Sequence, residues 1–233
     1  MLWMSAALRV VLAIPTIILL GYIIRGNGFK FVFTARGFAN GMFAGVAFAL
    51  YIITVLVRFF FATINTAFIP MIPAIILQYL PTGLFEGSLF RGLLMTAMLI
   101  KWGHSIKGRL IILLIAGVMF SAGHALNVNI TWSHILEASV LGIGLAGIYI
   151  YSKNLFASML LQSLYDIVIY EKATLLIAPS NMALSHVITN FQYVIIYAII
   201  PLFAIILAVK AKPFSKVFLP KKLIGLAGNT DGN

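Results

Sequence analysis

Five polar side chains in three short, otherwise apolar segments could together carry out acid–base chemistry. FEGSLFRG contains Glu86 and Arg91, FSAGHALN contains His124, and LLQSLYDIV contains Gln162 and Asp166. A carboxylate and an imidazole can take a proton from water and return it to a leaving group. An amide N–H can stabilise a negatively charged oxygen. Ionisable groups within apolar segments predict a functional site.

Helical spacing sets the relationships within the second and third segments. Gln162 and Asp166 are four residues apart, so in an α-helix they share one face. Phe120 and His124 have the same spacing, which places an aromatic ring one turn before the imidazole. The spacing predicts two helix faces that carry paired side chains.

The first segment is different. Glu86 and Arg91 are five residues apart, about 140° around an α-helix, so they are not expected to face the same way. The residue four positions before Arg91 is Gly87. Arg91 is therefore expected to pair with another helix, with Asp166, Glu137 or backbone carbonyls as candidates.

The elements that carry these segments are predicted to be membrane-spanning helices. The chain is 62% hydrophobic and only 9% charged, with a mean hydropathy of +1.09. A soluble domain would have about 25% charged residues. The predicted fold is an all-α polytopic membrane protein, a single transmembrane domain over residues 1–233 with a polar intramembrane cavity between spans 3, 4, 5 and 6.

Apolar runs of spanning length predict seven helices, and the first is interpreted as an uncleaved span. The proline-containing region 63–81 is left as an interfacial segment, a re-entrant segment or an eighth, broken helix. The predicted spans are 4–25, 38–60, 82–101, 109–126, 133–152, 154–170 and 189–209.

The net charge of +11 could indicate nucleic acid, but its distribution argues against that class of partner. With seven spans, one side of the membrane collects twelve Lys and Arg residues in its loops and in the basic tail 210–233. The other side has Lys172 clearly, with Arg58 near a span end. The positive-inside rule then predicts a cytoplasmic C-terminus and an external N-terminus, whereas an eighth span would reverse the N-terminal part. We expect a multi-pass cell-membrane protein, with a bacterial plasma membrane fitting best.

The three segments resemble the motifs of the CPBP, or CAAX-protease/Abi, superfamily of intramembrane proteases, which includes the type II CAAX prenyl endopeptidases. That pattern is E-E-x-x-x-R, then F-x-x-x-H, then H-x-x-x-N/D, on three helices. Here the corresponding residues agree in order and spacing across about 65–170: Glu86-Gly87-x-x-x-Arg91, Phe120-x-x-x-His124 and Gln162-x-x-x-Asp166.

The resemblance implies roles for these residues. Glu86 and His124 would activate the attacking water, and Gln162 and Asp166 would take the oxyanion role. Two positions depart from the pattern, since Gly87 replaces a glutamate and Gln162 replaces a histidine. Arg91 and Phe120 are expected to be structural members of the site.

The expected function is that of an endopeptidase acting on a membrane-associated peptide or protein within the lipid bilayer. The alternative is a catalytically impaired relative that acts as a scaffold, a bacteriocin-immunity protein or a binder of membrane peptides. A transporter would be expected to show paired repeats with broken helices, which the sequence lacks.

No cofactor is expected. His134 and Glu137, together with His124 and Glu86, are the only combination that suggests zinc. Gln162 removes one candidate histidine ligand, and the chain has no cysteine, so the sequence disfavours a zinc site.

Overall fold

A computed structural model describes residues 2–64, 66–125, 131–179 and 182–214, and within them the chain is almost entirely helical. The remaining residues lie outside the described part, including most of the basic tail. The α-helices are α1 (Leu2–Ile23), α2 (Gly28–Val32), α3 (Phe38–Ala44), α4 (Val46–Phe60), α5 (Ile72–Glu86), α6 (Thr96–Trp102), α7 (Ile106–His124), α8 (Trp132–Ser152), α9 (Leu155–Leu175), α10 (Met182–Val194) and α11 (Ile200–Lys210). A 3₁₀-helix (Thr66–Met71), two π-helical segments (Gly87–Met95 and Ile195–Ile199) and two short strands, β1 (Ala62–Ile64) and β2 (Leu176–Pro179), complete the described elements.

The predicted membrane bundle is confirmed. Five helical runs are long and apolar enough to cross a membrane: Ala6–Ile23, Ile69–Trp102, Ile106–His124, Trp132–Ser152 and Met182–Lys210. A sixth is formed if α3 and α4, which meet at an angle of 57°, count as one bent span. The apolar part of α9, Leu155–Ile169, is shorter.

The region 63–81 does not form a separate eighth span in the described residues. Most of it is the beginning of the third span, a continuous run of 34 residues from Ile69 to Trp102. Pro81 lies inside α5, where proline removes a backbone donor. The hydroxyls of Thr82 and Ser163 donate to the carbonyls of Gln78 and Leu80 at this point. Side-chain hydroxyls of this kind help a membrane helix tolerate proline.

Segments that connect the helices contact one another at two opposite ends of the bundle. At one end, here called the strand end, β1 pairs antiparallel with β2, with Thr63 opposite Ala178. At the other, here called the basic end, the amide of Asn154 donates to the carbonyls of Thr34 and Arg36. The run from α3 to α4 and helix α9 therefore both extend from the basic end to the strand end.

Small residues allow close packing of α8 on α7. A Cβ atom on Gly142 would lie 2.7 Å from the Cβ of Phe120 and 2.9 Å from the carbonyl oxygen of Ala116. Ala138 and Ala146, one turn to either side, are buried. This contact fixes the position of Phe120, and with it the second motif, against the centre of the bundle.

Candidate active site

The first motif lies where the third span changes from α-helix to π-helix. The π-helical segment follows Glu86 directly and contains Arg91. Both the backbone N–H and the hydroxyl of Thr96 donate to the carbonyl oxygen of Arg91, five residues earlier. A π-helix closes its hydrogen bonds over five residues instead of four. Glu86 and Arg91 are therefore brought to one face, and the expectation of separate faces, which assumed α-helical geometry, is wrong.

Gln162 joins these two side chains. Its Nε2 donates to Oε2 of Glu86 at 2.5 Å, and its Oε1 accepts a hydrogen bond from Nη2 of Arg91. Gln162 is fully buried and Arg91 is 1% exposed. A neutral amide can serve both charged partners because it has a donor at one end and an acceptor at the other. The first and third motifs thus form one hydrogen-bonded unit.

Asp166 completes this unit one turn along α9. Its side chain hydrogen bonds with Gln162, and its carboxylate interacts electrostatically with Glu86 and Arg91. Glu86 and Asp166 are both partly exposed, unlike Gln162 and Arg91. Glu86, Arg91, Gln162 and Asp166, here called the polar cluster, therefore combine two buried positioning groups with two carboxylate residues that are only partly exposed.

Arg9 is a member of the site that the sequence analysis missed. It lies in α1, donates from Nη1 to the hydroxyl of Thr82, and acts electrostatically on Asp166. Arg9 and Arg91 are thus two cations close to the carboxylate of Asp166, which also interacts with that of Glu86. The available signal was an arginine inside the first apolar span, since ionisable residues within membrane spans are costly and usually functional.

The glycine that departs from the family pattern is tightly packed. A Cβ atom on Gly87 would lie 2.4 Å from Cγ of Met159 and 3.2 Å from Nη2 of Arg91. Met159 is buried, one turn before Gln162 on the same helix. The space of the family's second glutamate is thus taken up by Met159 and by the guanidinium.

His124 lies beside this cluster, against Phe120. The two rings have centroids 4.6 Å apart, and the Arg91 guanidinium lies 5.7 Å from the Phe120 centroid. Nδ1 of His124 donates to the carbonyl oxygen of Phe120 at 2.9 Å. Because a carbonyl only accepts, Nδ1 carries a proton in this contact, so in a neutral imidazole Nε2 would be the basic nitrogen.

Glu86 and His124 make separate hydrogen bonds in the described structure, to Gln162 and to the Phe120 carbonyl. The cavity next to Arg91 has a volume of only about 10 Å³ and is lined mainly by apolar side chains, among them Phe90, Phe120 and Met95. Of the polar cluster, Arg91 is the member that lines this cavity. A volume of this size is at the lower limit for one water molecule.

His134 and Glu137 make their contacts with residues outside the polar cluster. His134 is exposed and pairs with Thr131 at the beginning of α8, at 2.8 Å. Glu137 accepts a hydrogen bond from Tyr197 and interacts with Tyr51 and Tyr165. Among the residues that the structure describes, no three His, Cys, Asp or Glu side chains are close enough to hold a metal ion.

Part of the chain matches a known protein family. Residues 68–168 match the family of type II CAAX prenyl endopeptidase Rce1-like proteins. The matched segment extends from the 3₁₀-helix before α5 into α9 and contains all three motifs. The resemblance predicted from the motifs, to the CAAX-protease superfamily, is confirmed. No curated protein and no solved structure matches the chain.

Proposed function

We propose that the protein is an intramembrane endopeptidase. It hydrolyses a peptide bond of a membrane-associated peptide or protein with a water molecule that Glu86 and His124 activate. The hydrogen-bonded link from Arg91 through Gln162 to Glu86 is the observation that supports this proposal most strongly. It joins two sequence-distant motifs and holds a carboxylate in a defined position within apolar helices. Preorganisation of this kind is what a general base requires.

The proposed reaction begins with a water molecule shared by Glu86 and Nε2 of His124. The water oxygen attacks the carbonyl carbon of the scissile peptide bond, while its proton passes to the Glu86 carboxylate. The C–N bond then breaks, and Glu86 returns the proton to the departing nitrogen. The products are a carboxylate and an amine, and the base is regenerated.

Arg91 and Gln162 act as positioning residues in this proposal. The buried Arg91 guanidinium holds the Gln162 amide, and this amide in turn donates to the Glu86 carboxylate and fixes its position. Gln162 is hydrogen bonded to Glu86, Arg91 and Asp166, so an oxyanion role for its amide would require the release of one of these partners. Asp166 could stabilise an oxyanion directly only as the protonated acid.

The second candidate is a catalytically impaired relative that binds a membrane peptide without cleaving it. Two observations favour it. The donor groups of Gln162 are already engaged by carboxylates, and Met159 fills the space of the family's second glutamate. In that case the polar cluster would hold the helices together, as interhelical hydrogen bonds do in other membrane bundles.

The deciding experiment compares Glu86→Gln with Glu137→Gln in proteoliposomes containing the full chain. The substrates are membrane-anchored peptides ending in a CAAX sequence, with and without a prenyl group, and cleavage is followed by mass spectrometry. The endopeptidase proposal expects Glu86→Gln to reduce cleavage about 10²–10⁴-fold, and Glu137→Gln to retain it. Equal rates for wild type and Glu86→Gln, or no cleavage by wild type of any peptide, would favour the binding protein.

A further inference from the structure

A second pocket, of about 610 Å³, lies at the basic end of the bundle, at the opposite end from β1 and β2. It is lined by α2, the connection between α2 and α3, the end of α8 and the end of α11. Its volume is within the range of sites for small molecules and lipid headgroups. Five basic side chains line it, with no acidic side chain among the lining residues: Lys30, Arg36, Lys153, Lys210 and Lys212.

Four of these cations are exposed, and the fifth is buried. Lys153 is 8% exposed, and its Nζ has no hydrogen-bond partner among the described residues. Nζ lies 4.9 Å from the ring centroid of Phe214. A buried ammonium normally has a hydrogen-bonded anion, because its desolvation is costly. Within the described part of the chain, the Lys153 amine is therefore buried without an anionic partner.

The backbone of Lys153 supports a fixed position for this side chain. Lys153 ends α8 in the left-handed region, with φ of 56°. The adjacent Asn154 is buried, and its amide ties this turn to the carbonyls of Thr34 and Arg36. The same turn thus connects the loop that carries Arg36 to the end of α8. This turn therefore holds Lys153 and Arg36 on the same side of the pocket.

Electrostatics within the pocket favour an anion. Burial, and secondarily the charge of Arg109, lower the pKa of Lys153 to about 7. Arg109 donates to the backbone carbonyls of Ala208 and Gly103, and a guanidinium offers no acceptor for Nζ. A bound oxyanion would favour the charged form of Lys153 and accept its hydrogen bonds.

We propose that this pocket is a binding site for a phosphate-bearing anion, with Lys153 at its base and Lys30, Arg36, Lys210 and Lys212 around it. Phosphate is favoured over a single carboxylate because several cations converge on one space and a phosphate offers several charged oxygens. Two sources share this chemistry: the headgroup of an anionic membrane lipid and a soluble phosphate compound. The site is independent of the Glu86 chemistry and would exist in a catalytically inactive protein as well.

The test uses the purified, delipidated full chain in a neutral detergent, with native mass spectrometry to count bound molecules. Phosphatidylglycerol is titrated in one arm, zwitterionic phosphatidylcholine in the second, and glycerol phosphate in the third. The variant is Lys153→Asn, because asparagine tolerates the left-handed backbone at this position. The matched control is Lys107→Gln, an exposed charge on the same end that does not line the pocket. Thermal unfolding of each variant shows whether it is folded.

We expect one molecule of phosphatidylglycerol to be retained by wild type and by Lys107→Gln, and to bind Lys153→Asn about tenfold more weakly or worse. Preferential retention of phosphatidylglycerol would identify a lipid headgroup as the ligand. Saturable binding of glycerol phosphate without lipid preference would identify a soluble phosphate.

Should Lys153→Asn fail to fold, the double variant Lys210→Gln/Lys212→Gln replaces it, with the same expected loss. Equal binding by the pocket variant and Lys107→Gln, or no discrete phosphate-dependent binding in any arm, would overturn the proposal.

Discussion

Oε1 of Gln162 accepts a hydrogen bond from the guanidinium of Arg91, and both side chains are almost completely excluded from solvent. Nε and Nη1 of Arg91 are buried without a hydrogen-bond partner in the described structure. The Gln162 amide therefore connects the Arg91 guanidinium to α9. The same amide donates to Glu86 and so links the position of Arg91 to that of the carboxylate.

Removal of the buried cation is expected to destabilise the fold as well as to reduce activity. Arg91→Ala would leave Glu86 and Asp166 without their nearest buried counter-charge. It would also leave the buried Gln162 Oε1 without its donor, and an unsatisfied buried polar group costs about 1–3 kcal/mol. Thermal unfolding in detergent should show a clearly lower midpoint, whereas Lys101→Ala, which removes an exposed cation, should leave it nearly unchanged. A midpoint equal to wild type in Arg91→Ala would show that Arg91 does not brace the third span.

Loss of the bridging amide should affect the rate more than substrate binding. In Gln162→Ala, Glu86 loses its hydrogen-bond donor and can move away from the position required for attack. A misplacement of about 1 Å can cost about 10²-fold in rate. Steady-state kinetics should show a reduced kcat with little change in KM. Gln162→His, which can again donate and accept, should recover part of kcat, and would exceed wild type only if an imidazole is the better oxyanion donor. A change confined to KM would contradict the positioning role.

The family glutamate should not be tolerated at position 87 unless Met159 is changed too. Gly87→Glu would place a Cβ atom against Cγ of Met159, and overpacking of this kind costs about 1–3 kcal/mol. We expect Gly87→Glu to lower the thermal midpoint, and Gly87→Glu/Met159→Ala to recover part of that loss. The loss of thermal midpoint in the double variant should be smaller than the sum of the losses in the two single variants. A loss equal to that sum would show that the two positions are not coupled.

The imidazole should contribute to catalysis through Nε2 alone. His124→Ala removes the imidazole that shares the attacking water with Glu86, and it is expected to reduce cleavage about 10²–10⁴-fold. His124→Asn keeps a polar group near the Phe120 carbonyl but offers no base, so it should be equally inactive while being more stable. Full activity of His124→Asn would remove His124 from the proposed reaction.

The two ends of the bundle should lie on opposite sides of the membrane. The positive-inside rule predicts that the basic end is cytoplasmic. A reporter fused after Lys222 should therefore report a cytoplasmic location, and a tag inserted between 126 and 130 should be accessible from outside. The opposite result in both positions would overturn the orientation but not the fold.

Much of the site could be predicted from the sequence because its residues are costly in an apolar environment. Glu86, Arg91, His124 and Asp166 were identifiable as ionisable groups in membrane spans. The connection of Gln162 to both Glu86 and Arg91 was not, because it depends on a π-helical segment. That segment has no periodic signature of its own, and the α-helical period placed Glu86 and Arg91 on different faces.

Other features required tertiary information. Arg9 is separated from Thr82 by 73 residues, and its proximity to Asp166 follows only from the packing of α1 on α5. The packing of Met159 against Gly87 is likewise a contact between two helices. The structure of region 63–81 could not be predicted for a different reason. Its prolines suggested a break, whereas hydroxyl groups from Thr82 and Ser163 allow the helix to continue past Pro81.

The pairing of β1 with β2 also has a consequence for how the chain is synthesised. Its partners, such as Thr63 and Ala178, are separated by 115 residues, and the helical runs of spans three to six lie between them. At about 5–20 residues per second, the second strand leaves the ribosome roughly 6–23 s after the first. Until then the backbone groups of Ala62–Ile64 must be hydrated, which holds this segment at the membrane surface. The pairing is thus a late folding event that closes the bundle only after the intervening helices have been inserted.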